Sequence, residues 1–110
     1  MVEYAGDLDR VYGALSNASR RQLVERLAAA PARVTDLAAN FSISLAGVSK
    51  HIQVLEQAGL VERTISGRQH ELRLQPVPLA DAAAWLSEYR RFWERGLDLL
   101  DRRLRESRRS

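Results

Sequence analysis

The stretch from Ser42 to Val61, SISLAGVSKHIQVLEQAGLV, constrains the fold most strongly, because it carries the start, the buried face and the end of one helix. Ser44 is a suitable N-cap, since its hydroxyl can accept from backbone N–H groups that the first turn leaves unpaired. Gly59 suits the left-handed conformation that closes many helices. We therefore predict a helix over residues 45–58. Its buried face repeats apolar residues at helical spacing: Leu45, Val48, Ile52 and Leu55.

The opposite face of this predicted helix carries small or hydrogen-bonding side chains and no carboxylate. Such a face can lie against base edges and phosphates in the major groove of DNA. We interpret the helix as a DNA-recognition helix, and an ordinary solvated helix face is the alternative. The side chains of this face are Ala46, Gly47, Ser49, Lys50 and Gln53.

Three amphipathic segments precede the recognition helix and predict three further helices. Asn17 or Ser19 would cap the second of these helices, and Pro31 would end it. Thr35 would cap the third helix, and a short turn then leads to the recognition helix. Two short helices joined in this way have the spacing of a helix-turn-helix. The three predicted helices span residues 7–15, 18–30 and 36–40.

After Gly59 the sequence changes to the alternating pattern of a β-hairpin. Strands are predicted over Leu60–Ile65 and Gln69–Leu74, with Gly67 providing the dihedral angles that the turn requires. A hairpin that directly follows a helix-turn-helix is the wing of a winged-helix domain. The arginines near its tip and edges are Arg63, Arg68 and Arg73.

A long last helix is predicted over residues 79–107, separated from the hairpin by Pro76 and Pro78 and running about 40 Å. Its apolar stripe is wider than one small domain can cover, so we expect it to form a homodimer together with the first helix. The expected interface residues are Leu8, Tyr12, Leu86, Tyr89, Trp93, Leu97 and Leu100. The aromatic side chains of this helix could instead line an effector pocket.

Composition narrows the class of protein. The 110 residues include no cysteine, which excludes disulfides, thiolate metal sites and cysteine nucleophiles. No apolar run approaches the roughly 20 residues that span a bilayer, and the acidic N-terminus lacks a signal segment, so a cytoplasmic protein without a membrane partner is expected. The net charge of +3 permits a nucleic-acid partner without requiring one. Since no catalytic motif or phosphate-binding glycine loop occurs, we do not expect an enzyme.

These elements predict a single domain, residues 1–110, that is mainly α with a small β-hairpin. The fold class is a winged helix-turn-helix of about five helices with a two-stranded wing. Residues 18–75 would form the helix-turn-helix and wing, and residues 7–16 and 79–107 would be dimerisation helices.

Several local sequences resemble the ArsR-type winged-helix transcriptional repressors. The most specific motif is VSKHIQVLEQAGLV over Val48–Val61, and ALSNASRR over Ala14–Arg21 is similar to the first part of the second helix in that family. YRRFW over Tyr89–Trp93 is similar to the metal-independent branch. The resemblance implies a homodimer that binds palindromic double-stranded operator DNA and represses transcription.

The sequence departs from the metal-sensing members of that family. They carry cysteines in the third helix or Asp, His and Glu ligands on the last helix, whereas here the last helix has no histidine. His51 and His70 lie on other elements and do not form a pair at ligand spacing. We therefore expect no metal site and no cofactor, and an effector, if there is one, stays unknown.

Specific roles are expected for the polar side chains. Lys50 suits a phosphate or guanine, Gln53 an adenine or guanine edge, and Ser49 a phosphate oxygen. His51 could equally be a structural histidine, and we expect Arg20 and Arg21 to pair with acids. The alternatives to a DNA-binding regulator are a winged-helix protein-interaction module and a small-molecule-responsive sensor. The predicted DNA contacts are Ser44, Ala46, Gly47, Ser49, Lys50, His51, Gln53, Arg63 and Arg68.

Overall fold

The computed structural model describes residues 2–109, with side chains described over residues 8–108. Five helices and three short strands follow one another along the chain, and the predicted winged helix-turn-helix order is confirmed. The elements are α1 (Val2–Leu15), α2 (Ala18–Ala29), β1 (Ala32–Arg33), α3 (Val34–Ala39), α4 (Leu45–Gln57), β2 (Val61–Ser66), β3 (Gln69–Leu74) and α5 (Pro76–Arg109).

The caps predicted for α2 and α4 are confirmed. The Asn17 side chain accepts a hydrogen bond from the Arg20 backbone N–H at 3.1 Å, and the Ser44 hydroxyl accepts from the Gly47 N–H at 3.1 Å. Gly59 has the left-handed φ of 74° expected after the end of α4. Most element boundaries differ from the prediction by one to five residues: α1 begins at Val2 rather than Asp7, α2 ends at Ala29, α4 ends at Gln57 and β2 covers Val61–Ser66.

The sheet has one strand more than the predicted hairpin. Strand β1 pairs antiparallel with β3, bringing Ala32 opposite Leu72, so the strand order is β1-β3-β2. Two residues are too few to show the alternation by which a strand is recognised in a sequence. Helix α3 follows directly, so Thr35 is not its N-cap as predicted. That position belongs to Arg33, whose side chain makes no capping hydrogen bond.

The core lies where α1 to α4 meet the inner face of the sheet. Three of the four predicted buried positions of α4 are in it, but Leu45 is 55% exposed, so its prediction as a core residue is wrong. At the first turn of α4, the neighbouring elements leave one side of the helix open. The largest fully buried side chains among the described residues are Val11, Leu23, Leu37, Val48, Ile52, Leu55, Leu60 and Leu72.

Helix α5 extends well beyond this core. It begins at Pro76, earlier than the predicted Leu79, because a proline in the first turn of a helix needs no hydrogen-bond partner for its missing N–H. Its first turns pack on α1, where the Tyr12 hydroxyl donates to the Ala82 carbonyl at 2.7 Å. From residue 83 to residue 108 every side chain is exposed. At 34 residues, α5 runs for about 50 Å.

Candidate nucleic-acid interface

The exposed face of α4 carries the polar side chains predicted to contact DNA. Ala46, Lys50 and Gln53 are exposed, and Ser49 is half-buried at the edge nearest the hairpin. The cap made by Ser44 fixes the first turn of the helix, so these positions have a defined orientation. We call this face, together with the hairpin tip at Arg68, the α4–wing surface.

The fold leaves no room for a side chain at Gly47. A Cβ atom built on Gly47 would lie 2.5 Å from Cγ2 of Ile43, which is far closer than two carbon atoms can approach. Ile43 packs against the hydrophobic core from the turn before α4. The close approach of turn and helix therefore explains this glycine without reference to DNA.

The wing stands beside α4 and leaves an open groove of about 460 Å³ between them. Arg68 is exposed at its tip, next to Gly67, which has the positive φ of 61° that the tight turn needs. The groove brings together residues of five elements, β1, α3, α4, β2 and β3, of which β1 and α3 were not predicted to belong to the site. Its lining includes Arg33, Thr35, Leu45, Ser49, Arg68 and Gln69.

Arg63 joins the wing to α4. Its guanidinium donates to both carboxylate oxygens of Glu56, at 2.7 and 3.3 Å, and to Nδ1 of His70 at 2.9 Å. The Arg63 and Glu56 side chains are 24% and 30% exposed. Arg63 was predicted as a DNA contact, and that contact stays a prediction, because these hydrogen bonds use three of the five N–H donors of its guanidinium. They also neutralise Glu56, the one carboxylate in the sequence of α4.

A second arginine acts on the other flank of α4. Arg20 donates to the backbone carbonyls of Ala14 and Gly13 at the end of α1, at 2.6 and 3.3 Å. It also lies 3.3 Å from Nδ1 of His51. The expectation that Arg20 and Arg21 pair with acids is wrong, since Arg21 likewise donates to a carbonyl, that of Leu15.

Both histidines of the chain thus face a guanidinium through Nδ1. A guanidinium can only donate, so each Nδ1 acts as an acceptor and the neutral ring carries its proton on Nε2. Around α4, His51 and Glu56 point about 140° apart, because successive residues are about 100° apart. Helix α4 is therefore held from α2 on one flank and from the wing on the other.

The predicted dimer-interface residues occupy two regions. Leu8 and Tyr12 of α1 pack against the core, and the Tyr12 ring lies 6.1 Å from that of Trp85. This contact continues along α5, where Trp85 stacks on Tyr89 at 5.2 Å and Tyr89 meets Trp93 edge-on at 6.0 Å. The remaining predicted residues are between 45% and 58% exposed: Leu86, Tyr89, Trp93, Leu97 and Leu100.

Two other kinds of site are absent from the part of the chain that the structure describes. Within it, no three or more histidine, aspartate or glutamate side chains come close enough together to hold a metal ion. Nor does any described helix combine the length and apolarity needed to cross a membrane.

A family model described as a helix-turn-helix domain matches residues 15–64. The HTH-type transcriptional regulator Rv2034 of Mycobacterium tuberculosis is 39% identical over 89 residues, covering 81% of this chain and 80% of that protein. The transcriptional repressor SdpR of Bacillus subtilis is 26% identical, covering 74% of this chain and 91% of that protein.

Solved structures agree with this comparison. The ArsR family transcriptional regulator RHA00566 superimposes with a TM-score of 0.76 at 32% identity, covering 82% of this chain and 93% of that one. Mb0332 of Mycobacterium bovis, described as a homodimeric winged helix-turn-helix DNA-binding domain, gives a TM-score of 0.67 at 25% identity. That match covers 83% of this chain and 86% of that one.

Proposed function

We propose that this chain, which belongs to the ArsR family of winged helix-turn-helix transcriptional regulators, binds operator DNA as a homodimer and represses transcription. The relatives support this proposal by their descriptions, one as a repressor and one as a homodimeric DNA-binding domain. A regulator of this kind acts where its operator lies, so we propose a cytoplasmic location. We propose no catalytic activity, because the relatives are described as transcriptional regulators.

The observation that carries the DNA-binding role is the state of α4. Its outer face is exposed and polar, and Ser44 caps its first turn. Its one carboxylate, Glu56, is paired with Arg63. A face without free negative charge can approach phosphates without repulsion. A recognition helix normally meets the major groove with the residues of its N-terminal part.

Each side chain of the α4–wing surface has a defined role in this proposal. Lys50 binds a phosphate or a guanine, Gln53 reads a purine edge and Ser49 donates to a phosphate. Arg68 contacts backbone or minor groove beside the site. Ser44, Ala46 and Gly47 allow close approach of the first turn, and His51 offers its Nε2–H to a phosphate.

The proposed homodimer is supported by the exposed apolar stripe on α5. Large apolar side chains that are about half exposed over several successive turns form a continuous patch, and such a patch marks an interaction surface. A second copy offers the same stripe, so two α5 helices and the adjacent α1 helices would cover one another about a twofold axis. The two recognition helices would then read half-sites about one helical turn apart.

Two other functions compete with this one. A protein-interaction module without DNA binding would be expected to carry free acids on the exposed face of α4, where Glu56 is the only carboxylate and is paired. A small-molecule sensor would use the aromatic row from Tyr12 to Trp93 as a pocket. Thermal-shift screening against metals and small molecules distinguishes a sensor from a constitutive repressor.

A mobility-shift titration tests the proposal on duplexes recovered by selecting bound fragments from the source genome. Lys50→Ala should weaken binding to all sequences alike if it holds a phosphate, whereas Gln53→Ala should relax preference at one base position. Arg26→Ala is the matched control, since it removes a positive charge from α2 outside the α4–wing surface. Wild-type affinity and preference in both variants would contradict the proposed recognition helix.

A further inference from the structure

Leu45 is an exposed apolar side chain within an otherwise polar surface. It is the first residue of α4 and is 55% exposed, while Val48, Ile52 and Leu55 supply the helix's contribution to the core. Its side chain lines the groove between α4 and the wing, beside Ser49 and Gln69. The fold itself therefore does not explain a leucine at this position.

The proposed dimer does not cover Leu45 either. Helices α1 and α5 meet α4 at its C-terminal end, where Leu8, Val11 and Val77 lie around Gln57 and Ala58. Leu45 is at the other end of this helix, about 18 Å away along its axis. A second copy that pairs through α1 and α5 would leave it open.

The position of Leu45 makes it one of the residues of α4 expected to go deepest into DNA. In a helix-turn-helix the N-terminal residues of the recognition helix meet the base edges. The base edges of the major groove carry hydrogen-bonding groups, with one apolar exception, the C5 methyl of thymine. An exposed leucine at this point has no hydrogen bond to offer, so thymine is the base that it fits.

We propose that Leu45 packs on the C5 methyl group of one thymine in each operator half-site and so selects thymine over cytosine there. This inference rests on the proposed function, since it assumes that α4 enters the major groove. Removing one methyl group from an apolar contact corresponds to about a fourfold loss in affinity per half-site.

The test replaces each thymine of the selected duplex in turn by deoxyuridine, which keeps the base pair and lacks only the methyl group. With the wild-type protein, one position per half-site should lose about fourfold in affinity. With Leu45→Ala that loss should disappear at the same position, while Leu45→Met should retain it. Val77→Ala is the control, because it trims an exposed apolar side chain of α5 that lies near the C-terminal end of α4, away from Leu45.

The outcomes separate the two proposals. A uracil penalty that Leu45→Ala abolishes supports the thymine contact. Sequence-specific binding in which no thymine shows a penalty dependent on Leu45 overturns the contact and leaves the proposed function standing. If selection enriches no duplex at all, the proposed function fails and the thymine contact fails with it. Alanine favours helices, so Leu45→Ala is expected to fold, and its circular-dichroism melting curve verifies this.

Discussion

Helices α4 and α5 carry similar apolar stripes, but only one stripe is covered by the fold. Val48, Ile52 and Leu55 of α4 are at most 1% exposed, because α1, α2, α3 and the sheet surround them. On α5, Leu86, Trp93 and Leu100 are all between 50% and 54% exposed. Helical spacing of apolar residues thus predicts a helix with an apolar face, and the surrounding chain decides whether that face is core or interface.

The polar faces of the two helices differ in the same instructive way. On α4 the one carboxylate is held by Arg63, so the outer face presents no free acid. On α5 arginines and acids pair along the exposed surface, as Arg90 does with Glu94 at 3.0 Å and Arg105 with Asp101 at 3.1 Å. The outer face of α4 therefore carries no free negative charge that would repel an anionic partner. The polar face of α5 is a solvated surface of both charges beside an exposed apolar stripe.

The largest effect is expected from truncating the covered stripe. Leu55→Ala should lower the free energy of unfolding by about 2–5 kcal/mol, since Leu55 is fully buried and its removal leaves a cavity. Urea unfolding at one fixed protein concentration measures this. Leu99→Ala, which truncates an apolar side chain of α5 that is 55% exposed, is the comparison. An equal loss of stability in both variants would show that the two stripes do not differ.

Truncating side chains of the exposed apolar stripe on α5 should instead weaken the dimer. Trp93→Ala and Leu100→Ala should each raise the dimer dissociation constant about 30-fold or more, as expected for large apolar side chains central to an interface. Sedimentation equilibrium measures the constant, and Ser87→Ala, exposed on the same helix, is the control. A dimer unaffected by several such changes along α5 would rule out this interface.

Removing the arginine that joins α4 to the wing should lower DNA affinity less, by about five- to tenfold. Arg63→Ala loses three hydrogen bonds, two to Glu56 and one to His70, and frees the wing from its position. Since we expect Arg63 to position the wing without neutralising a phosphate, the dependence of log K on log salt should keep its slope. A shallower slope in this variant would identify Arg63 as a direct phosphate contact.

Arg68→Ala should have the smallest effect, about threefold in affinity at moderate salt. Here the slope itself should change, by about 0.9 for each phosphate that the variant no longer neutralises, since Arg68 is free at the wing tip in this proposal. Fluorescence-anisotropy titrations at several salt concentrations measure both quantities. An unchanged slope would place Arg68 outside the interface with DNA.

Much of the fold was accessible from the sequence because its signals are local. Ser44 and Gly59 mark the ends of α4 within one stretch, and Asn17 marks the start of α2 in the same way. Strand β1 was missed because it exists only through pairing with β3, which lies about 40 residues further along the chain. The start of α5 was placed late because prolines end most helices yet are accepted in a first turn.

The sequence predicted which positions form the candidate site, but it did not predict the hydrogen-bond partners of the charged side chains there. The sequence does not reveal that Arg63 reaches Glu56 and His70, or that Arg20 reaches His51. Leu45 was misread for a related reason, since its spacing matches the core residues and only the packing around α4 shows that it is open. Which side chains contact DNA stays a prediction for every residue of the α4–wing surface.

Methylation protection of guanine N7 on the selected duplex tests the central claim most directly, because N7 lies in the major groove. Insertion of two α4 helices related by a twofold axis predicts two protected patches about one helical turn apart. Both patches should weaken together in the Lys50→Ala and Gln53→Ala variants. A single protected patch, or two patches that these variants leave unchanged, would contradict the proposal that the α4 helices of two subunits enter the major groove.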